Sequence, residues 1–233
     1  MQTFCSNPMR TLTLASLCLA AACGASPPED TITPRPSAPA LDPNRPVILA
    51  FGDSLTSGHM VAADESYPSR LQAKLEAAGH DHQVVNDGES GLTTSGGLAR
   101  LERALDLDPD IVVLELGGND GLRGTPVEVI RRNLATLVTA FRKRGATVVV
   151  AGLTLPRNYG PDYIREFENM YAGLAEEFGV PLIPFFLEGL VDLQSPADSI
   201  GVYMQADGTH PTAAGYTIVA ETVFQAIEPY LDE

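Results

Sequence analysis

The sequence predicts an α/β chain, a flavodoxin-like three-layer α/β/α domain on a five-stranded parallel sheet. Short continuous apolar runs, the pattern of strands buried on both faces, recur along the chain, and longer segments with helical start and stop signals separate them. Strands alternating with helices imply parallel pairing, with crossover helices covering both faces. Size agrees, since 233 residues with 44% hydrophobic content suffice for one well-buried domain.

The first strand is Val47-Ile48-Leu49-Ala50-Phe51, uninterrupted by any polar residue. A helix follows over Tyr67 to Ala78, closed by Gly79. Val84-Val85 marks a short second strand, and Gly96 to Leu107 reads as helix. Ile111 to Leu116 is the third strand. Thr125 as N-cap, Pro126 at the first helical position and Glu128 at the third then form a capping box that opens a long helix. Thr147 to Ala151 and Pro181 to Ile183 are the fourth and fifth strands, with a helix over Asp162 to Phe178 between them. Thr212 to Tyr230 closes the chain as helix. Strand order does not follow from this pattern.

Residues 1–22 read as a signal peptide: Arg10 precedes an apolar stretch, Thr11 to Ala22, too short to span a bilayer. Met9-Arg10 makes a better start for it than Met1. Leu19-Ala20-Ala21-Ala22-Cys23-Gly24 resembles a bacterial lipobox, with Ala20 where an aliphatic residue is commoner, so Cys23 is the expected lipid-attachment site. Residues 23–46 add a proline-rich tether that reaches roughly 3 Å per residue when extended. The expectation is an exported bacterial lipoprotein anchored to the membrane and facing the periplasm; ordinary cleavage after Ala22 would leave it soluble in the periplasm or secreted.

Cys5, Cys18 and Cys23 all lie in or at this leader, so residues 47–233 can form neither a disulfide nor a zinc–thiolate site, and a thiol nucleophile is excluded. A net charge of -15 argues against nucleic-acid binding, which needs a basic face. Nothing in the chain requires a dimer, and a monomer is expected.

In open parallel sheets, sites form beyond the carboxyl ends of strands. Phe51-Gly52-Asp53-Ser54-Leu55 places a serine where the first strand hands over to a helix, whose free N–H groups suit a developing oxyanion. Asn86 to Gly91 follows the second strand, Gly117-Gly118-Asn119-Asp120 the third, and Asp207-Gly208-Thr209-His210 lies beyond the fifth. A serine hydroxyl needs a base, for which His210 is the candidate. Asp207, three residues earlier, can fix the imidazole tautomer and stabilise the imidazolium. The Ser54 N–H, the Gly91 backbone and the Asn119 amide are candidate oxyanion donors, each worth about 3 kcal/mol in the barrier.

These blocks resemble the GDSL, or SGNH, hydrolases, with Ser54, Gly91, Asn119 and His210 matching the four letters and Asp207 as the histidine's partner. The resemblance spans about residues 47 to 230. Gly96 to Leu101, Leu116 to Gly124 and Leu155 to Gly160 bring it closest to the bacterial thioesterase I, arylesterase and lysophospholipase group. It implies hydrolysis of small carboxylic esters and thioesters, lysophospholipids among them, through an acyl-Ser54 intermediate and without metal or cofactor. It also implies that Gly121, Leu122, Arg123 and Gly124 belong to a mobile loop over the acyl site, with Pro156 and Tyr159 near the acyl chain. Thr209 departs from the pattern, which more often has an aliphatic residue there, and is expected to face away from the site.

Rival readings are an O-acetylesterase acting on cell-wall or other polysaccharide, and a non-catalytic surface lipoprotein. The α/β-hydrolase alternative fails, because Gly52-Asp53-Ser54-Leu55-Thr56 lacks the second glycine of G-x-S-x-G. Asp53 is read as a cap, His59 as a surface or capping residue, and His80-Asp81-His82 as a turn without a third metal ligand. Arg142-Lys143-Arg144 reads as a solvated helix end.

Overall fold

A computed structural model describes residues 41–190 and 199–232. The expected signal segment, Cys23 and the tether as far as residue 40 lie outside the described residues.

Five parallel strands, β1 (Val47–Gly52), β2 (Gln83–Asn86), β3 (Ile111–Glu115), β4 (Thr147–Ala151) and β5 (Leu182–Ile183), form one sheet in the order β2-β1-β3-β4-β5. All four pairings are parallel. This is the flavodoxin-like order that the sequence pattern left open. Every residue of β1 and β3 is buried, which explains why the two central strands read as continuous apolar runs.

The helices are α1 (Ser54–Ser57), α2 (Tyr67–Ala78), α3 (Thr94–Leu105), α4 (Gly118–Leu122), α5 (Val127–Lys143), α6 (Pro161–Phe178) and α7 (Ala213–Ile227). They form two packed groups, α2 against α7, and α3 against α5 with α5 against α6. The core includes Phe51, Leu71, Leu75, Leu134, Leu137, Phe141, Phe167 and Val223, all fully buried. Each such side chain contributes about 1.5–3 kcal/mol. Phe51 of β1 meets Phe141 of α5 edge to face, their ring centres 5.7 Å apart.

Several boundaries follow the side-chain signals. Gly79 adopts φ +85° and closes α2, Thr93 caps α3 through the Gly96 N–H at 3.2 Å, and Thr212 caps α7 through the Gly215 N–H at 3.2 Å. The capping box expected at Thr125 does not form. Thr125 donates its own N–H to the Asp120 carbonyl at 3.0 Å, in the turn that ends α4, while its carbonyl accepts the Tyr163 hydroxyl at 2.5 Å. Helix α5 therefore starts one residue late, at Val127, after Pro126 without a side-chain cap. The last helix also ends early, at Ile227, and Glu228–Tyr230 forms a 3₁₀ turn.

Candidate active site

The turn after β1 sets the serine. A β-carbon on Gly52 would fall 2.0 Å from Thr56 Oγ1 and 2.7 Å from the Glu115 carbonyl oxygen, so only glycine lets the chain turn tightly into α1. The buried Asp53 carboxylate accepts the Leu55 N–H at 3.0 Å and caps α1. Ser54 is the first residue of that helix, where N–H groups lack intrahelical acceptors.

His210 arrives on the segment before α7, 156 residues further on, with Nε2 2.8 Å from Ser54 Oγ. Its Nδ1 stands 2.7 Å from Asp207 Oδ2. The other carboxylate oxygen accepts the backbone N–H groups of Thr209 at 2.9 Å and His210 at 3.0 Å. Partial burial pushes the Asp207 carboxyl up, but the His210 side chain and these two N–H groups outweigh it and bring the carboxyl down to about 2. An ionised Asp207 holds a hydrogen on Nδ1, leaving Nε2 to accept the Ser54 hydroxyl proton.

Asn119, on α4 beyond β3, donates Nδ2–H to Asp53 Oδ2 at 2.8 Å and to the Leu92 carbonyl at 3.1 Å. The first bond anchors the amide. The second, the longer of the two, ties it to the loop after β2. Gly91 lies in the loop after β2 with φ +81°. That loop runs hard against α1, where a β-carbon on Gly88 would fall 2.3 Å from the Ser57 nitrogen. Arg100 fastens it through Asp87 at 2.6 Å and Glu89 at 2.9 Å.

A cavity of about 370 Å³ opens beside Ser54 and His210. Leu122, Leu153, Leu155, Phe185, Leu187 and Met204 make it largely apolar, and Pro156 and Asn119 also line it. Gly91, Gly121, Arg123, Gly124 and Tyr159 are not on its wall. The Tyr159 hydroxyl instead donates to the Leu122 carbonyl at 2.7 Å, and Arg123 donates to the Gly91 carbonyl at 3.2 Å. Gly121 is buried where a β-carbon would meet Leu155 at 2.7 Å, and Gly124 turns the chain at φ +68°. Thr209, expected to face away, is among the residues that line the cavity.

Sequence reasoning missed several neighbours. Glu115 at the end of β3 is fully buried and accepts the Thr56 hydroxyl at 2.8 Å and the Asp53 N–H at 3.2 Å. Burial first, then the neighbouring Asp53 carboxyl, holds its pKa well above the usual carboxylate range. Burial likewise raises Asp53, against the pull of the Leu55 N–H and the Asn119 amide. His59, read as a surface or capping residue, is half-buried with its ring 4.4 Å from that of His210. The Tyr216 hydroxyl reaches the Ser54 carbonyl at 3.4 Å. None of these contacts has a local sequence signal.

A serine, imidazole and carboxylate in one hydrogen-bonded line, beside an apolar cavity at the carboxyl end of a parallel sheet, is the arrangement of a serine-type acyl hydrolase. The comparisons with known proteins agree, and residues 50–218 match the GDSL-like lipase/acylhydrolase family, to which the chain belongs. It is 40% identical to the esterase TesA of Pseudomonas aeruginosa over 79% of this chain and 89% of that one. It is 34% identical to the thioesterase 1/protease 1/lysophospholipase L1 of Escherichia coli K12, over 79% and 85% of the two chains. The crystal structure of the psychrotrophic esterase EstA from Pseudoalteromonas sp., inhibited by monoethylphosphonate, superposes with a TM-score of 0.72 at 30% identity, covering 80% of this chain and 99% of that one. The chain is an ester hydrolase of this family.

Proposed function

We propose that the reaction runs through an acyl-Ser54 intermediate, with His210 as general base and then general acid and Asp207 as its orienting partner. The single observation that carries this reading is the line Ser54 Oγ, His210 Nε2, His210 Nδ1, Asp207 Oδ2, with links of 2.8 and 2.7 Å. Ser54 Oγ attacks the acyl carbon while His210 takes its proton, and the carbonyl oxygen gains negative charge facing the Ser54 N–H, the Asn119 amide and Gly91. The imidazolium then gives its proton to the leaving oxygen or sulfur. Water, activated by the same imidazole, repeats the attack on the acyl-serine and releases the acid.

Small carboxylic esters, thioesters and lysophospholipids are the proposed substrates, with the acyl chain in the apolar cavity. Burial of each methylene is worth about 0.8 kcal/mol, roughly fourfold in kcat/KM while wall remains to be covered. The apolar lining supports this reading over an acetyl-specific polysaccharide esterase, which has no use for a wall of leucines and Phe185. A monomer exported on residues 1–22 and anchored through a lipid on Cys23 completes the proposal, supported by the leader's sequence.

The test compares p-nitrophenyl acetate, butyrate and octanoate hydrolysis by residues 41–233 with and without Ser54→Ala. Loss of turnover in Ser54→Ala, with kcat/KM rising from acetate towards longer chains, is the expected outcome. Turnover that survives Ser54→Ala sinks the acyl-serine mechanism, and acetate-only activity sinks the acyl-chain reading. Membrane retention that persists in full-length Cys23→Ser sinks the lipid anchor.

A further inference from the structure

Ser54 and His210 stand on separate elements, α1 and the segment that leads into α7, so something must fix one against the other. Among the described residues, backbone bonds close the histidine segment on itself: Met204 N–H to the Ser199 carbonyl at 2.9 Å, Gly201 N–H to the Met204 carbonyl at 2.7 Å, Gln205 N–H to the His210 carbonyl at 2.8 Å, and Thr212 N–H to the Tyr203 carbonyl at 2.9 Å. Those bonds shape the segment. They do not place it over Ser54.

The half-buried Gln205 side chain crosses the gap. Its Nε2 donates to the His59 carbonyl at 2.8 Å and to the Pro211 carbonyl at 2.8 Å. His59 closes the turn after α1, its N–H donating to the Ser54 carbonyl at 3.2 Å, and Pro211 directly follows His210. A closed circuit results, from Ser54 through His59, Gln205 and Pro211 to His210, and back to Ser54 Oγ at 2.8 Å. Met204, one residue before the bridge, is buried at 2% exposure and pins the base of the segment in the core.

We propose that Gln205 is a positioning residue for ester hydrolysis, its carboxamide clasping the serine turn to the histidine segment and so setting the reach of His210 to Ser54. The chemistry suits a glutamine. A primary amide offers two hydrogens to two backbone carbonyls, which can only accept, and being neutral it adds no charge beside the imidazolium. The His59 ring lies 4.4 Å from the His210 ring, so the residue whose carbonyl takes the Gln205 amide also stands beside the imidazole. A displacement of about 1 Å between reacting groups costs on the order of a hundredfold in rate, so losing the bridge should act on kcat.

The experiment compares the parent with Gln205→Met, which keeps length but has no hydrogen to donate, and Gln205→Glu, which keeps shape but turns an acceptor towards both carbonyls. Turnover of p-nitrophenyl butyrate is expressed per reactive serine, counted by intact mass after exhaustive fluorophosphonate labelling, so that a fraction lost to misfolding is not mistaken for slow catalysis. We expect kcat per labelled serine to fall about tenfold or more in both variants, with KM within about threefold of the parent. A kcat per labelled serine within about twofold of the parent in either variant overturns the proposal, as does a loss explained wholly by fewer labelled serines. The inference rests on Ser54 and His210 being the reacting pair. Ser54→Ala in the same assay separates the two failures: an active Ser54→Ala removes the pair, whereas a dead Ser54→Ala beside active Gln205 variants removes only the clasp.

Discussion

Asn119 Nδ2 lies 2.8 Å from Asp53 Oδ2, joining the turn after β3 to the turn after β1. These strands are neighbours in the sheet, paired from Ile48 with Ile111 through to Gly52 with Glu115, so their ends emerge together at the point where the strand order reverses. One carboxylate therefore does two things. It caps the helix that presents Ser54, and it aims the amide proposed to meet the oxyanion.

From that bond follows the first prediction. Asn119→Ala removes a donor and should lower kcat by about 10²–10³ with KM little changed. Asp53→Ala leaves the amide in place but unanchored, and should cost at least about tenfold in kcat together with the α1 cap, worth about 1 kcal/mol of stability. Steady-state kinetics with a chemical denaturation curve for each variant checks both. An Asp53→Ala variant as active as the parent would mean that the Asn119 amide needs no anchor.

Asp207 gives a prediction in pH. Its carboxyl sits at about 2 in the folded chain against an ordinary value of 3.8, so folding favours the ionised form. Its contribution to stability is present above 3.8 and is lost as pH falls through about 2. Asp207→Asn should accordingly flatten the acid limb of the stability curve between those values, as thermal unfolding across that range would read. In catalysis the same change releases the imidazole tautomer and should lower kcat by about 10³–10⁴.

The fold was legible in the sequence because its signals are local. Runs such as Val148-Val149-Val150 and Ile111 to Leu114 have the unbroken apolar pattern of doubly buried strands, and Gly79 and Thr212 act on backbone groups a few residues away. The Thr125 box failed for a reason equally local but competitive: its N–H was already taken by the Asp120 carbonyl. Ser54, Asn119 and His210 stood out because each follows a strand or turn with its own motif. Gln205 and Glu115 carry no such mark. Their partners, His59 for the one and Thr56 for the other, lie 146 and 59 residues away and meet them only once the sheet has formed.

Glu115 supplies a test with the opposite sign. Its folded-state pKa is raised well above 4.5 by burial, so its contribution to stability is full below that value and is lost as pH rises through the folded-state value. Glu115→Gln keeps an oxygen to accept from Thr56 and the Asp53 N–H and carries no charge to ionise. Its Tm should hold up better than the parent's on the alkaline side, while Glu115→Ala, which opens a cavity and strands two donors, should lose about 2–4 kcal/mol at acid pH, a gap that narrows as pH rises. Parallel Tm curves for the parent and Glu115→Gln from below 4.5 to alkaline pH would show that folding does not raise the Glu115 carboxyl.

Leu122 lets the acyl cavity be read without disturbing the core. It lines the cavity yet is 41% exposed, unlike Leu153 and Leu155, which are buried at 6% and 5%. Truncation at a buried wall would combine lost acyl contact with a destabilised fold, at about 2–5 kcal/mol. Leu122→Ala should leave Tm nearly unmoved and remove methylene contacts that only a longer acyl chain makes. We expect kcat/KM for octanoate to fall about fivefold, roughly 1 kcal/mol, and that for acetate to fall much less. Equal losses on both esters would mean that Leu122 touches the reacting carbonyl region rather than the chain, and the acyl tail would then have to follow the wall formed by Phe185, Leu187 and Met204.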